Sequence, residues 1–257
     1  MGKEKITTYF NMVRAANKNL FVPYIVAGDG GIDKLQQRIE FLEKSGVAAI
    51  ELGIPFSDPV ADGPTIQEAS IRALANGTTL KKVLDVLETF KEKRNVPIIL
   101  MTYLNPVYAY GIDEFAADCA RVGVDGMIIP DIPLEEEEVV ANALDEHNIA
   151  FIRLAALTST PERVKELAKR SEGFLYAVSV TGTTGARATH NDRVYAYLEM
   201  LKKHCPVPVL AGFGVSNPTQ AHELSRHADG VIVGSKIVEL LHQGKDEMVR
   251  QLITESI

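Results

Sequence analysis

Short β-rich runs alternate with amphipathic helical patterns along the whole chain, and this alternation constrains the fold more than any other feature. The runs are FVPYIVA (21–27), AAIEL (48–52), PIILMT (97–102), GMIIP (126–130), AFIRLA (150–155), GFLYAVS (173–179), VPVLA (207–211) and GVIVG (230–234). Strands that alternate with helices form parallel β–α units. Eight such units in 257 residues predict an α/β fold, a closed (β/α)8 TIM barrel, as one domain over residues 1–257 with an extra N-terminal helix. An open doubly wound sheet is the alternative.

The segments between the runs carry helix signals. In 33–46, Leu35, Ile39 and Leu42 recur at helical spacing, and Gly46 follows as the expected C-cap. The four consecutive glutamates at 135–138 are typical of the first turn of a helix, and we expect them to face solvent.

Bulk composition limits the partners and the compartment. The net charge of −7 argues against nucleic acid or an anionic membrane as the main partner. No apolar run approaches the length of a membrane span. Cys119 and Cys205 form no CxxC pair and no secretory signal precedes them, so a soluble protein in the reducing cytoplasm is expected.

Glu51 is a charged residue near the end of the second run, where a strand is expected to bury its side chains. Because side chains alternate along a strand, Ala49 and Glu51 share one face, and Ile50 and Leu52 share the other. The first pair suits a barrel interior and the second suits the helix layer. Burial raises a carboxyl pKa, which lets the group both hold and release a proton near neutrality. A structural pair with an Arg or Lys is the alternative.

Asp62 is the second candidate carboxylate. It lies in the loop after the second run, where Pro59, Gly63 and Pro64 limit the freedom of the backbone. Such a loop can hold a carboxylate over the barrel mouth, although Asp62 taken alone fits an ordinary turn aspartate. Barrels of this class carry their chemistry at the C-terminal ends of the strands, where both carboxylates fall.

Glycine-bearing loops follow the last three runs, at TGTTG (181–185), GFGVS (212–216) and GS (234–235). Phosphate sites in barrels are typically built from the loops after strands seven and eight, with a helix N-terminus. Glycine lets backbone N–H groups approach an anion, and Ser235 can cap the next helix and donate to phosphate. Together with the carboxylates, these loops predict a phosphorylated small-molecule substrate that undergoes proton transfers.

Three other chemistries lack their sequence signals. No predicted strand ends in a lysine, which disfavours a Schiff-base aldolase. The six histidines show no HxH or HExxH spacing, and no GxGxxG follows a strand. We therefore predict neither a bound metal nor a dinucleotide cofactor.

The segment ELGIPFSDPVADGPTIQ closely resembles the signature of the tryptophan synthase α subunit family. The resemblance continues, in order, through FVPYIVAGD, MTYLNPVY, PDIPLEE, TGTTGAR, GFGVS and the final GS. It implies a (β/α)8 barrel that cleaves indole-3-glycerol phosphate to indole and glyceraldehyde 3-phosphate. In this resemblance Glu51 and Asp62 match the catalytic glutamate and aspartate of the family.

The resemblance also implies further site residues. It assigns the phosphate to Gly185, Phe213, Gly214, Gly234 and Ser235. It assigns the rest of the substrate to Tyr24, Met101, Tyr103, Ile128, Leu154, Tyr176, Thr184 and Gly212, with Thr184 contacting the catalytic aspartate. The sequence departs from the family pattern at Tyr24, where many relatives have Phe, and at Pro130, where others have a smaller residue. In the loop VTGTTGARAT only Thr184 and Gly185 carry over from the family pattern LSRxGVTG.

The family works with a β subunit that carries pyridoxal phosphate, in an α2β2 complex that passes indole through a tunnel. The resemblance therefore implies no cofactor in this chain, and it places the loops around 55–58 and 105–108 against the β subunit. Two alternatives stay open. One is another phosphate-binding barrel, such as indole-glycerol-phosphate synthase, which needs a strand-end lysine, or phosphoribosylanthranilate isomerase. The other is an inactive relative that serves as a binding module.

Overall fold

A computed structural model describes residues 2–178 and 192–257. Its strands are β1 (Leu20–Val26), β2 (Ile50–Gly53), β3 (Ile98–Met101), β4 (Gly126–Ile128), β5 (Ala150–Phe151), β6 (Arg153–Ala156), β7 (Leu175–Val178), β8 (Val209–Gly212) and β9 (Gly230–Val233). Its helices are α1 (Lys3–Ala15), α2 (Leu35–Lys44), α3 (Pro64–Ala75), α4 (Leu80–Thr89), α5 (Leu104–Tyr110), α6 (Ile112–Arg121), α7 (Glu138–Glu146), α8 (Pro161–Arg170), α9 (Asp192–His204), α10 (Pro218–His227), α11 (Ser235–His242) and α12 (Asp246–Thr254).

The strands form one parallel sheet that curls back on itself. Their order is β5-β4-β3-β2-β1-β9-β8-β7-β6, and every pairing is parallel. The two ends of this order, β5 and β6, are consecutive in the chain and are separated only by Ile152. The sheet is therefore nearly closed into a barrel, and the predicted (β/α)8 architecture with its extra N-terminal helix is confirmed.

The fifth predicted strand is the one place where the predicted strand count is wrong. The run at 150–155 divides into β5, which pairs with β4, and β6, which pairs with β7. Between them the Ile152 N–H still donates to the Met127 carbonyl of β4 at 2.9 Å. One predicted strand thus exchanges its neighbour halfway along, because closing a staggered barrel requires a strand to bond on both sides at different heights.

Alternating side chains separate two apolar layers. Ala49 and Ile99 belong to a cluster inside the barrel, whereas Ile50 and Leu52 pack in the larger cluster between the sheet and its helices. The predicted division of β2 into an interior face and a helix-facing face is therefore confirmed. Helix α2 contributes a narrow apolar stripe, Leu35, Ile39 and Leu42, to the outer layer.

Helix α1 covers the N-terminal end of the barrel. Ile6, Phe10 and Val13 reach into the interior cluster, and the Phe10 ring stacks on Phe174 at 5.9 Å between centroids. Buried Asp125, just before β4, accepts hydrogen bonds from the Gly2 N–H at 3.2 Å and the Ile98 N–H at 3.0 Å. This end of the barrel is thus filled with side chains, which leaves the opposite end for the loops that carry the candidate site.

Residue-level helix predictions had different outcomes. Gly46 has φ +91° and donates to the Glu43 carbonyl at 3.0 Å, so the predicted C-cap of α2 is confirmed. The solvent-facing role expected for all four glutamates at 135–138 is wrong for Glu137. Its buried carboxylate accepts hydrogen bonds from Arg153 at 2.7 Å and Arg170 at 2.9 Å, partners that are distant in sequence.

Within the described segments, no helix combines the length and the apolar character of a membrane span.

We expect Phe10→Ala to lower the free energy of unfolding by about 3–5 kcal/mol, because it removes a fully buried ring from the base of the barrel. Met12 lies on the same helix but is 56% exposed, so Met12→Ala should cost no more than about 0.5 kcal/mol. Urea unfolding curves for both variants and the parent measure the difference. Equal losses in the two variants would contradict the assignment of α1 as a structural plug.

Candidate active site

Glu51 stands inside the barrel on β2. Its Cα lies opposite Tyr24 of β1 and Ile99 of β3, and the side chain is only 1% exposed. Neither carboxyl oxygen has a hydrogen-bond partner among the described residues. Burial, reinforced by the nearby charge of Asp62, raises the pKa of Glu51 to about 8. No described residue forms the structural ion pair considered as an alternative, and a pKa of about 8 keeps the group mostly protonated at pH 7.

Asp62 occupies the loop between β2 and α3. The Tyr103 hydroxyl donates to its Oδ2 at 3.0 Å, and the same hydroxyl accepts from the Ala61 N–H at 3.0 Å. The Tyr103 ring is held in turn by Phe56, at 5.2 Å between centroids. Burial raises the pKa of Asp62 to about 6, and the Tyr103 hydrogen bond opposes this rise. At pH 7 Asp62 is therefore largely ionised while its neighbour Glu51 is protonated.

Two further tyrosines complete the polar lining. Burial raises the pKa of Tyr24 and of Tyr176 well above the usual value, and the charges of Glu51 and Asp62 add to both shifts. The Tyr24 ring leans over Gly53, where an added Cβ would overlap the hydroxyl, and the Tyr176 ring leans over Gly212 in the same way. The structure thus brings Tyr24, Tyr103 and Tyr176 together around the two carboxyls.

Gly53 is a site residue that the sequence reasoning missed. Glycine at the end of a strand is a common turn residue, and the only available signal was its place two residues beyond Glu51 on the same face. Its role depends on the Tyr24 ring of the adjacent strand, a contact that the sequence does not display.

The residues of the predicted apolar wall differ in their exposure. Met101 and Leu154 are partly exposed and pack against the interior cluster, so both can contact a ligand. Ile128 has no exposed surface and belongs to the interior core. Leu154 and Pro130 also line a cavity of about 210 Å³, to whose wall neither carboxyl contributes.

The phosphate cradle is predicted at the loops after β8 and β9, and the structure describes both of these loops. Gly214 has φ +69°, and α11 begins at Ser235 directly after Gly234. The Ser235 Oγ is buried and has no hydrogen-bond partner among the described residues. Phe213 is 7% exposed. A helix N-terminus with an unpaired hydroxyl suits an anion. Thr184 and Gly185 lie outside the described residues.

The free energy of unfolding of Glu51→Gln, relative to that of the parent, should increase as pH rises from about 5 to about 8. Over this window native Glu51 keeps a proton that the unfolded chain releases, since the native pKa is about 8 against an ordinary value of 4.5. The stability of the parent therefore falls with rising pH, by on the order of a few kcal/mol, whereas Gln does not titrate.

Urea unfolding at several pH values measures this effect. Glu146→Gln, at an exposed position on α7, is the matched control and should give a difference that does not grow with pH. A constant difference for Glu51→Gln as well would mean that the Glu51 carboxyl is not held neutral by burial.

Comparisons with known proteins identify the family of this chain. The family model described as tryptophan synthase alpha chain matches residues 10–256. The tryptophan synthase alpha chain of Oceanobacillus iheyensis is 60% identical over all of this chain and 98% of its own length. That of Bacillus cereus is 47% identical over 98% of this chain and 96% of its own length.

Solved structures give the same result. The structure of Mycobacterium tuberculosis tryptophan synthase superposes with a TM-score of 0.90 at 35% identity, over 98% of this chain and 96% of its own. The tryptophan synthase subunit alpha of Legionella pneumophila gives a TM-score of 0.88 at 33% identity, over 100% and 97%. With the matched family model spanning nearly its whole length, the chain belongs to the tryptophan synthase alpha chain family.

Proposed function

We propose that Glu51 and Asp62 carry out, in this chain, the lyase reaction of the tryptophan synthase alpha chain. That reaction cleaves indole-3-glycerol phosphate to indole and glyceraldehyde 3-phosphate, and indole passes to the β subunit for tryptophan synthesis. The main support is the buried, unpaired Glu51 carboxyl, with a pKa of about 8, beside an Asp62 carboxyl with a pKa of about 6. Two carboxyls with separated pKa values can serve as acid and anion at one pH.

Glu51 is the proton carrier in this proposal. Its carboxylic acid protonates C3 of the indole ring, and the resulting carboxylate then accepts the proton of the glycerol hydroxyl next to the ring. The carbon–carbon bond breaks, its electron pair restores the indole double bond, and the former hydroxyl carbon becomes the aldehyde of glyceraldehyde 3-phosphate. Glu51 ends the cycle protonated, as it began. A group with a pKa near the working pH suits both transfers.

Asp62 stabilises the cation formed between these steps. Protonation at C3 places positive charge on the indole nitrogen, and an ionised carboxylate that accepts the N–H hydrogen bond lowers the energy of that state. Tyr103 supports the role because its hydrogen bond to Oδ2 favours the ionised form and leaves Oδ1 available.

The remaining contacts orient the substrate. We assign the phosphate to Gly214, Gly234, Ser235 and the Phe213 backbone, with Gly185 completing the cradle. Tyr24, Met101, Tyr103, Leu154 and Tyr176 surround the indole and glycerol parts, with Ile128, Thr184 and Gly212 in supporting positions. An apolar wall with a few polar groups is the usual composition of a site for a flat ring.

Glu51→Gln and Asp62→Asn should each lower the turnover of indole-3-glycerol phosphate by at least about 100-fold, because each removes a proton-transfer or charge-stabilising group. Indole release is the measurement, and equilibrium binding of glycerol 3-phosphate should stay within a few-fold of the parent. Glu146→Gln is the matched control and should keep full activity. Undiminished indole release by Glu51→Gln would contradict the mechanism, and a parent that binds ligand without releasing indole would be a binding module.

We also propose an α2β2 assembly in which the partner β subunit holds pyridoxal phosphate and this chain holds no cofactor. Support comes from apolar side chains exposed at the C-terminal end of the barrel. Val60, between β2 and α3, is 82% exposed, and Tyr108 of α5 is 71% exposed. Exposed aromatic side chains are frequent anchors of protein interfaces.

The free thiols of Cys119 and Cys205 support a cytoplasmic location. We also propose that residues 1–257 form one domain.

Tyr108→Ala should raise the β-subunit concentration needed for half-maximal stimulation of indole release by roughly 10-fold, the effect of losing an interface anchor. Titration of each variant with a bacterial β subunit measures the shift. Met12→Ala, which removes an exposed side chain from the opposite end of the barrel, is the control and should leave the midpoint unchanged. If Tyr108→Ala also leaves it unchanged, the partner binds elsewhere.

A further inference from the structure

The Tyr24 hydroxyl occupies a particular place above Glu51. Residues 51 and 53 share one face of β2, so the space between Glu51 and the barrel mouth belongs to the side chain of residue 53. Because Gly53 has no side chain, the Tyr24 hydroxyl can enter that space from β1. It lies so close to the position of a Cβ at residue 53 that the two atoms would overlap. A phenol oxygen therefore stands between the Glu51 carboxyl and the loop that carries Asp62.

The surroundings of this hydroxyl are apolar except for the active-site groups. The Tyr24 ring packs with Ile66 and Ala69 of α3, Val238 of α11 and Met101 of β3. The titratable groups that face it are Glu51 from β2, Asp62 from the following loop, Tyr103 after β3 and Tyr176 from β7. No hydrogen bond joins the Tyr24 hydroxyl to another described residue. Neither Glu51 oxygen has a partner among the described residues, so the carboxyl and the hydroxyl both have hydrogen-bonding capacity that no described residue uses.

We propose that the Tyr24 hydroxyl links the two carboxyls, accepting a hydrogen bond from protonated Glu51 and donating its own to ionised Asp62. A phenol carries one donor and can accept at the same oxygen, so a single hydroxyl satisfies both bonds. Tyr24 is then a positioning residue that acts through Glu51 and Asp62. The inference rests on the proposed function and adds a link that phenylalanine at this position cannot make.

The link has a definite effect on proton affinity. A donor to the Asp62 carboxylate favours its ionised form and lowers its pKa, as Tyr103 also does. An acceptor for the Glu51 proton favours the neutral acid and raises its pKa. The hydroxyl therefore widens the pH range in which Glu51 is protonated while Asp62 is ionised, which is the state that starts the reaction.

The test is the pH profile of kcat/KM for indole release, whose acidic limb reports Asp62 and whose basic limb reports Glu51. Tyr24→Phe should move both limbs inward, each by roughly 0.5 to 1 pH unit, the equivalent of one hydrogen bond. At the pH optimum, kcat should fall by more than KM rises. A profile with neither limb moved, or with only one limb moved, overturns the link.

Two comparison variants separate this inference from its neighbours. Tyr103→Phe should raise only the acidic limb, because Asp62 is the only one of the two carboxyls to which the Tyr103 hydroxyl bonds. Tyr9→Phe, which removes a hydroxyl from α1 at the opposite end of the barrel, should move neither limb. If Glu51→Gln and Asp62→Asn abolish cleavage while Tyr24→Phe keeps the parent profile, the proposed function stands and only the link is lost.

A measurement on the free protein covers the case in which Tyr24→Phe is too slow to assay. The infrared carbonyl band of a protonated carboxylic acid that disappears in Glu51→Gln titrates with Glu51. Its midpoint should be lower in Tyr24→Phe than in the parent, with the same circular dichroism spectrum for both. An unchanged midpoint would overturn the link without any reference to turnover.

Discussion

The removal of the Glu51 carboxyl from water is the constraint on which the rest of the site depends. An ionised carboxylate with no partner is costly in the interior of a barrel, so the group keeps its proton to a pKa of about 8. The folded state therefore supplies an acid that the same glutamate cannot be in water. The filled base under α1 and the packed helix layer hold this environment in place, and the free energy of their packing offsets the unfavourable burial.

Strand geometry then determines which groups can reach that carboxyl. In a parallel barrel, alternate residues of each strand rise in a column towards the mouth, so the residue two places beyond Glu51 controls the space above it. Gly53 and Gly212 leave their columns open, and Tyr24 and Tyr176 from adjacent strands lean into them. Neither glycine has a positive φ, so neither is needed for a left-handed backbone conformation. Each instead leaves room for a neighbouring ring.

Local pattern was sufficient for some features and insufficient for others. Alternation around Glu51 predicted the interior face of β2, and helical spacing with Gly46 predicted α2 and its end. The count of strands differed because the run at 150–155 bonds to β4 below Ile152 and to β7 above it, a consequence of barrel closure. The prediction that Glu137 faces solvent was wrong because its partners, Arg153 and Arg170, come from other elements, which no local pattern indicates.

The sequence by itself determined the order and type of the elements, the barrel, the family resemblance and the two carboxylates, because these follow from periodicity and from residues adjacent in the chain. Only the tertiary structure decided how those carboxylates differ. Burial raises the pKa of Glu51 to about 8 and that of Asp62 to about 6, and the second rise is limited by a hydrogen bond from Tyr103, a residue 41 positions from Asp62. Desolvation and contacts between strands are properties of the folded environment, and no spacing along the chain encodes them.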